Sequence, residues 1–575
     1  MKFYRVFILL VSLVLFNTTS AAESNIDTKI VGGVESVSGE WPWMVLLSSS
    51  SISNGSIPGF FCGGSLISDE WILTAAHCVV DSSPSNVFAF VGEHDKSTPD
   101  IAAATISEII VHPQYNPNTS DNDLAIIKLS SPSSVTPVNI ISPALAAALE
   151  TEADDPINDL TVIGWGNTEA PDPTYPNVLR DVDLPYVSNT VCNSSGNLSG
   201  QITTNMMCAG LQAGGIDSCQ GDSGGPLVYS NAGNWYQAGV VSWGIGCADP
   251  NNYGVYTRVE NYINWIQLAI NGVTPSLTFG TWIDGKTANA QIEINNSTNG
   301  SSYSISSITS SNPSFTIGTD TCPVTINPGD SCVINLNFSS AIIGSHSGTI
   351  TLTTNHPDLG VATVEVLGNI ATLATYNNVE ADAEIEWAST GNNLWSEQLV
   401  TVGGTYSLQS GNISNSQQSS LFAYVNIAAG NSTRDVYFDW RSCSEPGWDY
   451  LELWIDGVKV DARSGNADWA RKFVTLNGEG DHVIEWRFNK DYLYGVVGVE
   501  AGWVDNIELD AASLNTVPVH IGSCDLTLTG VPPAGGGGGG GSSSDDSSSF
   551  SLGAMSSWFY LALGIPLLMR RRHKI

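Results

Sequence analysis

The stretch Gly221-Asp222-Ser223-Gly224-Gly225-Pro226 decides how the first half of this chain folds. Glycines on both sides of a serine read as a tight turn that exposes the hydroxyl and lets backbone N–H groups converge on one point. A serine hydroxyl is a weak nucleophile until a neighbouring imidazole takes its proton. A carboxylate against that imidazole fixes its tautomer and stabilises its cation. Upstream, Thr74-Ala75-Ala76-His77-Cys78 supplies the imidazole, and Asp121-Asn122-Asp123-Leu124-Ala125 supplies two carboxylates. The apolar sequel Leu124-Ala125 favours Asp123 as the buried orienter and leaves Asp121 to a loop. The order His, Asp, Ser is one in which such triads occur.

Around these positions lie Ile30-Val31-Gly32-Gly33, Gly164-Trp165-Gly166 and Ser242-Trp243-Gly244. With them, residues 30 to about 271 resemble the chymotrypsin/trypsin family of serine proteases. The resemblance implies an all-β double barrel closed by a C-terminal helix, with His77, Asp123 and Ser223 catalytic. It places the oxyanion hole at the N–H groups of Gly221 and Ser223. Asp217, six residues before Ser223, falls where trypsin-like members carry the acid at the base of the primary pocket. Ser242, Trp243, Gly244 and Gly254 match its walls, so the expected cut follows Lys or Arg. Asp222 matches the carboxylate that pairs with the new α-amino group after activation, here that of Ile30. Lys29, just before it, is itself a residue such a pocket would cleave. The implied product is a zymogen-derived endopeptidase acting on protein substrates.

Departures from the family are equally specific. The loop after Glu93 is shorter than the calcium-binding loop of trypsins and lacks its second and third acidic positions. No metal ligand is assigned, and no cofactor is called for. Tyr253 stands where sodium-activated relatives carry Tyr or Phe and ordinary trypsins carry Pro; as a proline it would lack an N–H and have a fixed φ.

Residues 1–22 read as a signal peptide: Lys2 and Arg5, then the apolar run Val6 to Phe16, then small residues Ser20 and Ala22. Residues 23–29 would then be an activation propeptide. Export suits ten cysteines, since disulfides persist in oxidising compartments. They fall in local pairs, Cys62/Cys78, Cys192/Cys208, Cys219/Cys247 and Cys322/Cys332, with Cys443 and Cys524 left over. Basic residues are scarce: 20 Lys+Arg against 56 Asp+Glu, a formal charge of −36. That excludes nucleic acid as a partner, because phosphates require basic patches.

The 575 residues exceed one core. Apolar positions at helical spacing from Val259 to Ile270 close the first domain. Residues 275–370 are rich in Ser, Thr and Asn, with alternating strands at 290–294, 349–353 and 362–366, and resemble bacterial Ig-like modules. Asn327-Pro328-Gly329-Asp330 is a turn signal between Cys322 and Cys332. Residues 374–512 form a further β territory resembling extracellular jelly-roll modules, many of which bind carbohydrate. Its Trp440, Trp448, Trp454, Trp486 and Trp503 are read mainly as core, with a glycan as the candidate partner. Asp456-Gly457 between two apolar runs predicts a hairpin. A surface adhesin with an ancillary protease domain is the alternative reading.

Residues 530–551 are a Gly/Ser-rich linker that cannot bury a core. In 552–575, Leu552 to Met569 is a mostly apolar stretch of about the minimum spanning length, followed by Arg570-Arg571-Arg572-His573-Lys574. The basic cluster would stay in the cytoplasm. This tail resembles the Gly-rich C-terminal sorting signals of Gram-negative bacteria, which implies a rhomboid-type sorting protease and type II secretion machinery as partners. The expected route is a transient inner-membrane anchor, then the cell surface or the medium.

Overall fold

Short apolar strands separated by Gly, Pro and Asn close most readily into barrels, which leave no unpaired edge. A computed structural model describes residues 32–151, 159–168, 174–297, 300–379, 381–401, 405–490, 500–510 and 573–574. The first barrel runs in the order Met44–Ser48, Phe60–Leu66, Trp71–Thr74, Ala125–Leu129, Ala104–Val111 and Phe88–Val91, closing back on the first strand. Leu46 therefore lies between Gly63 and Phe90. The second runs in the order Arg180–Val187, Met206–Ala209, Gly254–Arg258, Asn234–Gly244, Pro226–Asn231 and Asp159–Gly164. Pairing of Arg180 with Gly164 begins the ladder that closes it. His573–Lys574 pairs antiparallel with Trp243 and Gly244.

This topology brings the three candidate residues together from the ends of strands in both barrels. His77 lies on the short helix Ala76–Val79, directly after Trp71–Thr74. Asp123 ends the loop entering Ala125–Leu129, the neighbouring strand in the same barrel. Ser223 ends the loop entering Pro226–Asn231 in the other barrel. The helical spacing after Val259 resolves into a 3-10 turn, Val259–Tyr262, and an α-helix, Ile263–Ile270. Its Trp265, Ile266 and Ala269 bury against Trp71, Leu73 and Ile126 of one barrel and Val240 of the other, fastening the two together.

The following module is a sandwich. One sheet orders Ser276–Ile283, Val361–Ala371, Gly344–Thr354 and Ile305–Ser310, and the other Ala288–Asn295, Ser331–Phe338 and Phe315–Asp320. Alternate residues Ile292, Ile334, Leu336, Phe338, Ile350 and Val364 fill the space between them. At the predicted turn, Asp330 N–H donates to Asn327 O at 3.0 Å, with Gly329 at φ +85°. Pro at the second and Gly at the third position suit a type II turn. The Cys322–Cys332 bridge spans this connection.

A second sandwich of six and five strands follows. Asp456 and Gly457, at φ 48° and 81°, join strands Tyr450–Ile455 and Val458–Ser464, the conformation a two-residue hairpin loop requires. Trp440, Trp486 and Trp503 are buried, Trp454 is stacked under Arg487, and Trp448 is exposed. Three of the five aromatics thus belong to core packing. The modules join in series: Leu268 enters the first sandwich's core, and Tyr424 of the second donates to Thr281 O of the first at 3.0 Å.

The other bridges are Cys62–Cys78, Cys192–Cys208 and Cys219–Cys247. Cys443 is also disulfide-bonded, to a partner outside the described residues. Outside them too lie the expected signal peptide, Lys29, Ile30, Cys524, the expected linker and Leu552 to Met569. Among the described residues no helix is long and apolar enough to cross a membrane.

Candidate active site

Asp123 is buried, and its carboxylate is saturated with donors. It accepts the backbone N–H of His77 at 2.9 Å, faces His77 Nδ1 at 2.7 Å and accepts Ser242 Oγ at 2.5 Å. Burial alone would push this carboxyl up, but His77 and the three hydrogen bonds outweigh it and hold it below the ordinary range. Asp121 sits elsewhere, accepting from Thr203 Oγ1 and Asn205 Nδ2. Of the two carboxylates in the motif, the apolar sequel marks the one that meets the imidazole.

With Nδ1 on Asp123, His77 turns Nε2 toward the cleft that Ser223 also lines. No hydrogen bond joins Nε2 to Ser223 Oγ here, and Cys78 Sγ lies 3.7 Å from Nε2. Such contacts commonly tighten only when substrate is bound. Cys62, His77 and Cys78 bring three potential ligand atoms together, but both sulfurs are tied up in their mutual bridge.

The loop around Ser223 is pinned to both barrels. Gly63 N–H donates to Ser223 O at 2.7 Å, and Gly224 N–H to Val241 O at 2.8 Å. Cys219 to Asp222 form a turn closed by Asp222 N–H to Cys219 O at 3.0 Å, with Gly221 at φ +100°. That left-handed position favours glycine and turns the Gly221 N–H outward. Among the described residues, the N–H groups of Gly221 and Ser223 have no acceptor. Two free donors beside a hydroxyl that lines the cleft are what an oxyanion requires.

Behind the turn, the buried Asp222 accepts N–H of Gly166 at 2.7 Å and of Cys219 at 2.9 Å. A Cβ at Gly164 or Gly166 would collide with this carboxylate, so Gly164-Trp165-Gly166 makes the space Asp222 occupies. Burial pushes Asp222 up to about 6. Gly32, two residues past Ile30, packs against Gly215 and Ile216, which brings the start of the domain to this side of the barrel.

Asp217 is also buried. Its Oδ2 accepts Ala248 N–H at 3.0 Å, while Oδ1 has no partner. Burial pushes this carboxyl up to about 8. A Cβ at Gly254 would lie 2.7 Å from Oδ1, so glycine there keeps the approach open. The Ser242 side chain is buried and donates to Asp123, so any part it has in the pocket wall falls to its backbone. Trp243 and Tyr253 are buried together in an apolar cluster with Cys192 and Val255. Glu93, at the shortened loop, is buried and takes the N–H groups of His94 and Asp95 on Oε1.

A carboxylate–imidazole pair, a serine lining the same cleft and two free N–H groups between paired six-strand barrels define a double-barrel serine protease. The model of the Trypsin family matches residues 30–266. Trypsin of Sus scrofa is 42% identical over 248 residues, which is 42% of this chain and 96% of that protein. The chain belongs to the trypsin family, and its enzymatic domain is a trypsin-like serine endopeptidase. Residues 273–368 match the HYDIN/CFA65/VesB-like Ig-like domain. Among solved structures, the VesB protease of Vibrio cholerae aligns at 26% identity and TM-score 0.46, over 59% of this chain and all of that one. The secreted serine protease VesC from the same organism aligns at 21% identity and TM-score 0.46, over 83% of this chain and 99% of that one.

Proposed function

We propose that this protein is an exported endopeptidase that cuts after Lys or Arg through an acyl-enzyme, made as a zymogen and activated by cleavage after Lys29. Ser223 attacks the scissile carbonyl while His77 takes its proton and returns it to the leaving amine. Asp123 holds the imidazole, and the N–H groups of Gly221 and Ser223 receive the developing oxyanion. The observation that carries the specificity is Asp217, a buried carboxylate with one unpartnered oxygen below Gly254. A Lys or Arg side chain supplies the counter-charge that lets this carboxyl ionise, whereas an apolar side chain leaves it protonated and gains no such attraction.

Freed at Ile30, the α-ammonium would pair with Asp222, replacing a buried carboxylate held only by two N–H groups with a charge pair. The signal peptide and the disulfides support export. The tail is proposed as a removable sorting segment, on the strength of its apolar run and terminal basic cluster.

Peptides differing only at the residue before the cut test this reading. Ser223→Ala should lose about 10⁶ in kcat. Asp217→Ser should lose about 10²–10³ in kcat/KM on Lys and Arg peptides and far less on apolar ones. Equal losses on both peptide classes would remove Asp217 from the pocket.

A further inference from the structure

The cleft extends past Ser223, away from Asp217. Phe60, Tyr175, Lys96 and the Cys62–Cys78 bridge line this extension against His77 and Ser223, and none of Asp217, Ser242, Trp243 or Gly254 takes part. A peptide with its basic side chain on Asp217 and its carbonyl at Ser223 must therefore continue into this region after the scissile bond. The residues lining it bind the leaving-group half of the substrate.

Lys96 is the cation in that wall. Its backbone is stitched at both ends, N–H to Asn177 O at 3.0 Å and C=O from Ile57 N–H at 2.9 Å. Its ammonium stands 4.7 Å over the Phe60 ring, which fixes the side chain by packing and a cation–π contact. Among the described residues no carboxylate lies within ion-pair distance of it. The nearest acid it feels is Asp222, whose oxygens are already taken by Gly166 and Cys219. In a chain with 20 basic against 56 acidic residues, a half-buried cation with no ion-pair partner among the described residues, on the wall of the cleft that Ser223 lines, stands apart. Half-buried over an apolar ring, its attraction is screened less than that of a surface charge.

We infer that Lys96 is a specificity-determining residue that selects protein substrates carrying Asp or Glu shortly after the cleaved Lys or Arg. The inference rests on the endopeptidase reading above and extends it to the other side of the bond. A local cation also offsets the repulsion that a net charge of −36 imposes on acidic substrates. The chain's own Lys29 is followed by Ile30-Val31-Gly32-Gly33, with no acid before Glu35, so it is a poor substrate by this criterion. A protease other than a second copy of this one is then the better activator.

Fluorogenic peptides with Arg before the cut and Asp, Asn or Lys at each of the first three positions after it test the inference in the activated, full protein. At one of those positions kcat/KM should be about tenfold higher for Asp than for Asn, equivalent to ~1.4 kcal/mol, and lower still for Lys. The ratio should shrink with added salt, fall to about one in Lys96→Met and Lys96→Gln, and invert in Lys96→Glu. Because each ratio is taken within one protein, a general loss of activity in a variant does not imitate the effect. A wild-type ratio near one at all three positions, or one that persists in Lys96→Met, overturns the inference. Failure of the wild type to cleave an arginine anilide, which has no residues after the bond, would instead overturn the endopeptidase reading beneath it.

Discussion

Two buried aspartates, Asp123 and Asp217, are shifted in opposite directions because their surroundings differ. Asp123 faces three donors and an imidazole, so it is held below its ordinary range. Asp217 has no charged partner and an oxygen without a donor, so burial outweighs its backbone hydrogen bonds and pushes it up to about 8. A guanidinium entering the pocket reverses that, since an adjacent opposite charge favours the ionised form. The sign follows: below about pH 8 the free enzyme holds a proton on Asp217 that the complex does not, so binding releases it. Titrating benzamidine calorimetrically at pH 7 in buffers of different ionisation enthalpy should reveal this release, and Asp217→Asn should abolish it. A binding enthalpy independent of buffer would contradict the shift.

The element that converts sequence into catalysis is the turn from Cys219 to Asp222. Its third position requires φ near +100°, and the Cβ of any other residue would also approach Gly166 Cα to 3.1 Å and Tyr175 Cε1 to 3.3 Å. Gly221→Ala should therefore tilt the peptide and misdirect its N–H. One lost oxyanion donor is worth about 10²–10³ in kcat. The effect should fall on kcat rather than on benzamidine affinity, because Asp217 and its pocket lie outside the turn. Steady-state kinetics beside inhibitor titration separate the two, and equal losses in both would point to collapse of the whole loop. The accessory hairpins follow the same logic at lower stakes: Asn327-Pro328-Gly329-Asp330 and Asp456-Gly457 supply the φ values their turns demand, so both were readable without tertiary context.

At the scale of the whole molecule, a double barrel, an Ig-like sandwich and a larger sandwich follow one another, each with its own core. The processing proposed for this arrangement acts at both ends. Terminal sequencing of the protein recovered outside the cell should find Ile30 at the start of the active form and an end between Gly541 and Ser557. Lys29→Gln should leave the protein inert toward arginine anilide after treatment with a trypsin-like activator. Full activity in the uncleaved variant would refute activation at Lys29, and recovery of an intact Arg570–Ile575 end would refute the sorting segment.

The sequence by itself singled out Ser223 and His77 as the candidate nucleophile and imidazole, preferred Asp123 to Asp121, and indicated the barrel class, the hairpin turns and the local cysteine pairs whose bridges the structure then shows. These are properties of residue type and short spacing: a glycine where φ is positive, a carboxylate before an apolar strand, two cysteines close in the chain. Only the tertiary structure decided that Ser242, 119 residues from Asp123, spends its hydroxyl on that carboxylate. The same holds for the space that Gly164 and Gly166 leave for Asp222, and for the ammonium of Lys96 in the leaving-group cleft. None of these has a local signature, because each arises where strands of different barrels or distant loops meet. Burial and partnership, which set what a charge can do, exist only once the chain has closed around it.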